Sequence, residues 1–113
     1  MGVIRVKDGV QFTKIAPAGF RILEAISLTA SVLETDLTIT SACDGEHSGP
    51  DDPHHLGEAY DVRSHDLDPL LRARVLDTLH SQLPGDRFFS FLEDAGTADE
   101  HFHIQRKRGT VYP

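Results

Sequence analysis

The sequence contains one cysteine, Cys43, one methionine and no tryptophan. A lone thiol rules out an internal disulfide and a paired-thiolate zinc site, so any metal must rest on histidines and carboxylates. Long hydrophobic runs are also missing: the apolar residues fall in short separate stretches, and no membrane span is expected. Met1 to Asp8 lacks the apolar stretch and small-residue cleavage site of a secretory signal, so the chain is expected to be cytoplasmic as synthesised. Basic residues are the minority, 11 Lys and Arg against 18 Asp and Glu, for a formal charge of -7. That balance opposes a broad grip on nucleic acid or anionic membrane, and the basic run Arg106, Lys107, Arg108 is too short to reverse it. What is present, 39% hydrophobic residues in 113, fits one soluble domain over residues 1–113, expected to be a monomer.

Periodicity supplies the elements. Val3 to Val6 and Gln11 to Ile15 read as short strands around an Asp8-Gly9 turn. Pro17 opens a helix running to about Glu34, on which Ile22, Leu23, Ile26, Ala30 and Leu33 make one apolar stripe. Leu37 to Thr40 is a β-branched strand. Ser41 to Leu56 is almost devoid of apolar residues, a loop of a length usually kept for function. Strand returns from Glu58 to Arg63. Asp68-Pro69 then caps a second helix with Leu71, Val75, Leu79 and Leu83 buried, stopped by Pro84-Gly85. Arg87 to Leu92 and His101 to Arg106 complete the set. The order predicts an α+β domain: a small antiparallel sheet with two main helices on one face.

The chemistry concentrates in histidines. Five of the seven lie in two segments, His47, His54 and His55 in the long loop and His101 and His103 on the last strand. Read singly, such residues are usually solvated polar side chains. Their joint placement is more pointed. His54-x-x-Gly57-x-Ala59-x-Asp61 puts a histidine before a strand and a carboxylate within it, with Gly57 and Ala59 expected to leave room for a metal. His101 and His103 share one strand face by the two-residue period, and Phe102 and Ile104 take the other. Two imidazoles and one carboxylate suit a catalytic zinc, because they leave a fourth position open.

The run His54 to Asp61, followed about forty residues later by Glu100-His101-Phe102-His103, resembles the HxxGxAxD and ExxH signature of the zinc D-Ala-D-Ala carboxypeptidases and related phage endolysin peptidases. The match covers about Leu37 to Gln105. It implies a hedgehog-like fold, zinc held by His54, Asp61 and His103, Glu100 as general base and acid, and a catalytic assisting role for His101. His55 is the neighbour that competes with His54, and the spacing to Gly57 favours His54. His47 is a candidate for binding substrate. The substrate implied is a peptidoglycan stem peptide, reached in the cell wall through phage-type release. The arginine that family members carry soon after the strand equivalent to Leu37–Thr40 is missing from Ser41 to Glu46, leaving Arg63 as the candidate to bind a substrate carboxylate. Since Asp44, Glu46, Asp51 and Asp52 would repel such a group, an internal bond is the expected target. A catalytically inactive zinc-binding module of the same fold is the alternative, against which the presence of Glu100 argues.

Overall fold

The computed structural model describes residues 2–45 and 47–109, so Glu46 and its charge lie outside the described residues. The elements follow in the order β1 (Ile4–Val6), α1 (Pro17–Val32), β2 (Leu37–Ser41), β3 (Ala59–Arg63), α2 (Pro69–Gln82), β4 (Phe88–Glu93) and β5 (His101–Arg106). Both helices begin on proline, whose fixed φ suits the first turn and whose missing N–H has no partner there in any helix. Asp68 caps α2 as expected, accepting from the Leu71 amide at 2.8 Å. Ala16, before α1, offers no side-chain cap. Its amide instead donates to the Gly57 carbonyl at 3.2 Å, fixing the start of α1 to the long loop.

The apolar stripes meet in one core. Ile22, Ile26 and Ala30 of α1 and Val75, Leu79 and Leu83 beyond and on α2 are buried with Tyr60, Val62, Phe102 and Ile104 of the sheet. Leu23 and Leu33 are only partly buried at its margin. A fully buried side chain such as Phe102 contributes roughly 1.5–3 kcal/mol in apolar transfer. Both helices therefore cover one face of the sheet, and the α+β class is as expected.

The sheet itself differs from the expectation. No hairpin forms around Asp8-Gly9: residues 11–15 are irregular, and β1 pairs parallel with β2, Ile4 opposite Leu37 and Val6 opposite Ile39. A parallel pair needs a crossover, and α1 is long enough to provide one. Gln11 is spent elsewhere, its carbonyl accepting from the Cys43 amide at 2.8 Å. The five strands thus form a mixed sheet in the order β1-β2-β3-β5-β4, with the pairs after β1–β2 antiparallel.

Register decides what the uncovered face presents. Tyr60 and Val62 sit opposite Ile104 and Phe102 toward the helices, while Asp61 and Arg63 sit opposite His103 and His101. On the other flank Phe91 and Glu93 of β4 oppose the same two histidines. The face free of helices is therefore polar and histidine-rich at its centre.

Gly57 has a different role from the one its spacing suggested. Its φ is +74°, a conformation unfavourable for residues with a Cβ. A Cβ there would stand 2.6 Å from the Lys14 carbonyl oxygen, and a Cβ on Gly19 would stand 2.0 Å from the Gly57 oxygen. Backbone from residues 14–19 fills the space that the sequence left open for a metal.

Candidate metal centre

Asp61 is the centre of the polar face. Its Oδ1 lies 3.0 Å from His103 Nδ1, 3.3 Å from His54 Nε2 and 3.6 Å from His101 Nε2. Three elements bring these groups together: β3 carries Asp61, β5 carries both strand histidines, and the loop before β3 delivers His54. Burial would raise the Asp61 carboxyl, but hydrogen bonds from His103 and His54 and the nearby imidazoles hold it well below the usual carboxylate range. His103 shows the reciprocal effect: burial would lower it, and Asp61 and Gln105 raise it instead.

The outer nitrogens of two histidines are already engaged. His54 Nδ1 donates to the Ala42 carbonyl at 2.9 Å, and His103 Nε2 lies 2.7 Å from the Gln105 side-chain oxygen. An imidazole whose outer N–H is so held turns its other nitrogen inward toward Asp61, the orientation of a metal-ligating histidine once a cation displaces the inner proton. The donor chemistry of His54, Asp61 and His103 therefore fits a zinc ion. Among the described residues the metal-capable donors fall into two compact groups, Asp61, Glu93, His101 and His103, and His47, Asp52 and His54, with donor atoms in each within 4.8 Å of one another. The expected ligand set is divided between them and joined by the His54–Asp61 contact.

The second group is less suited to a cation on its own. Asp52 Oδ1 accepts from the His54 amide at 2.9 Å, and its Oδ2 accepts from the amide and hydroxyl of Ser48. His47 stacks face to face on His54, ring centroids 4.0 Å apart, with Nε2 3.2 Å from the Ser41 hydroxyl. It backs the His54 ring. His55 donates from both ring nitrogens, to the Gly49 carbonyl at 2.6 Å and the Gly45 carbonyl at 2.7 Å. These carbonyls raise its pKa and leave it a loop staple with no nitrogen for a metal.

Glu100 stands apart from both groups. It precedes β5, and its carboxylate accepts from Ser64 Oγ at 2.7 Å, from Arg72 on α2 at 2.8 Å and from the Gly96 amide at 3.2 Å. These three donors bring its pKa down to about 2. It nevertheless lines, with Asp61, Arg63, His101, Lys7 and His65, a cleft of about 400 Å³ on the polar face. Arg63 faces that cleft from β3. A larger groove of about 720 Å³, lined by Ile4, Phe20, Leu23 and other residues of α1, includes none of these site residues.

Among the participants not visible in the sequence are Glu93, 2.7 Å from His101 Nε2; Lys7, brought to the cleft by the parallel pairing of β1; and Arg72, which holds Glu100. Only strand register and helix docking identify them. Of the loop carboxylates, Asp44, like Asp52, is turned onto backbone amides, those of Ala42 and Gln11. No helix among the described residues is long and apolar enough to cross a membrane. Comparison with family models, with curated proteins and with solved structures found no match for this chain.

Proposed function

We propose that this chain is a zinc-dependent peptidase acting on peptidoglycan stem peptides that contain D-amino acids. The observation that carries the reading is the gathering of His54, His101 and His103 around one carboxylate oxygen of the partly buried Asp61, in a chain with HxxGxAxD and ExxH spacing. His54, Asp61 and His103 would hold the metal. Bound there, zinc supplies Lewis acidity, polarising a scissile carbonyl and acidifying water.

The remaining roles belong to the chain itself. Arg63 and Lys7 give the cleft beside Asp61 two cationic side chains suited to an anionic part of the peptide. Phe91, 40% exposed and 5.5 Å from the His103 ring, offers an apolar wall on the opposite side. His47 supports His54 from behind. Glu100 is assigned the proton transfer by its place in the ExxH run, which requires it to release Arg72 when substrate enters the cleft.

The hold of Ser64, Arg72 and Gly96 on Glu100 favours a second reading, a zinc-binding module of the same fold without catalysis. One experiment separates the two. Purified protein is analysed for zinc and incubated with muropeptides, and the products are identified by mass spectrometry. The peptidase reading expects one zinc per chain and cleavage that chelation abolishes. Zinc without cleavage leaves the module, and absence of zinc overturns both. The identity of the cleaved bond follows from the same products.

A further inference from the structure

His101 and His103 face the same side of β5, and spacing alone does not say which is free to bind a metal. Both have an outer nitrogen on an oxygen: His103 Nε2 on Gln105 at 2.7 Å, and His101 Nδ1 on the Asp99 carbonyl at 2.6 Å. Both present the other nitrogen toward Asp61, at 3.0 Å and 3.6 Å. They differ in what else meets that inner nitrogen. Glu93 sits directly opposite His101 in the β4–β5 register, a position from which side chains meet across strands. Its Oε1 lies 2.7 Å from His101 Nε2 but 3.9 Å from His103 Nδ1. The first is hydrogen-bond length and the second is not.

We infer that Glu93 is a positioning residue: by drawing His101 Nε2 to itself it leaves His103 as the β5 histidine that joins Asp61 at the metal, and it keeps His101 beside the site in the assisting place that the ExxH pattern gives it. This inference rests on the proposed metal centre and adds to it a residue from a strand that neither motif includes. Glu93 is half exposed, with 41% of its side chain accessible, so its replacement leaves the core intact. Each β5 histidine thus has its own carboxylate within hydrogen-bond length, His103 with Asp61 and His101 with Glu93.

The test compares wild type with Glu93→Ala, Glu93→Gln, His101→Ala and the Glu93→Ala/His101→Ala double variant. Zinc affinity is measured by chelator competition, the ligand field by absorption of the cobalt-substituted protein, and the His101 ring by its ¹⁵N shifts in metal-free protein. The expected results are a displaced His101 Nε2 resonance in Glu93→Ala, wild-type zinc affinity, and kcat on muropeptides reduced about tenfold at unchanged KM, the lower end for an outer-sphere partner. Glu93→Gln, which retains an acceptor oxygen, should fall between. The double variant should be no worse than His101→Ala, because one residue acts through the other. An affinity loss of more than about a hundredfold with a changed cobalt spectrum would make Glu93 a ligand and overturn the inference, as would additive effects in the double variant. If wild-type protein binds no zinc, the metal centre itself fails. The His101 resonance still judges the contact, and an unchanged Nε2 shift in Glu93→Ala sinks it.

Discussion

The two faces of β5 carry opposite burdens within six residues. Phe102 and Ile104 are completely buried against the helices, while His101 and His103, one step out of phase, retain 20% and 12% side-chain exposure around Asp61. The first pair holds the domain together by apolar burial, and the second pair contributes little to that core. A strand with a period of two lets one segment do both, because shifting by one residue exchanges the faces entirely. Stability and chemistry should therefore respond separately to substitution.

The largest effect should come from the buried face. Phe102→Ala is expected to cost about 3–5 kcal/mol, the range for truncating a buried aromatic, whereas His103→Ala in metal-free protein should cost clearly less. Urea denaturation in the presence of chelator measures both, and equal losses would erase the division between the faces. Next comes the polar face alone. His54→Ala, Asp61→Asn and His103→Ala should each weaken zinc binding by more than about a hundredfold, beyond what outer-sphere changes produce, while His55→Ala should leave it intact. Loss of zinc in His55→Ala with retention in His54→Ala would reassign the ligand.

A third comparison concerns the residue just before the strand. Glu100→Gln should keep zinc and lose activity by about a hundredfold or more, as expected for a general acid–base group. Wild-type turnover in that protein would leave Glu100 only its contacts to Ser64 and Arg72. The smallest effect is on pH dependence. Glu100 titrates at about 2 in the folded protein against an ordinary 4.5, and Asp44 is also lowered, its amide partners outweighing burial. Carboxylates depressed on folding add stability above their unfolded pKa and lose it as pH falls through the folded one. The melting temperature should thus decline from about pH 4.5 toward pH 2, and Glu100→Gln should flatten part of that decline.

Local signals carried much of this structure. The bounds of β5 follow from the run His101 to Arg106, and α2 follows from the Asp68 cap and the Val75, Leu79, Leu83 spacing, because a cap and a period act within a few residues. The strand partner of β1 had no such signal. Asp8-Gly9 suggested a hairpin, yet residues 4–6 gain more by pairing with β2 across the α1 crossover. Glu93 and Lys7 were hidden for the same reason, since each reaches the site through the register of a distant strand. Arg72 depends on how α2 docks. The histidines were legible because the donors themselves are sparse and clustered, but the division of His54 from Asp61 and His103 appears only in three dimensions.

The close packing of Gly19, Gly57 and residues 14–16 bears on how this site moves. With the Ala16 amide bonded to the Gly57 oxygen and no space for even a methyl group between the segments, α1 acts as a splint along the stretch that delivers His54. Gly49, by contrast, has open space around its Cα and φ of +113°. The end of the loop at Gly57, which leads into β3, is therefore the fixed one, and any swing of the loop to admit a peptide falls to the residues around Gly49.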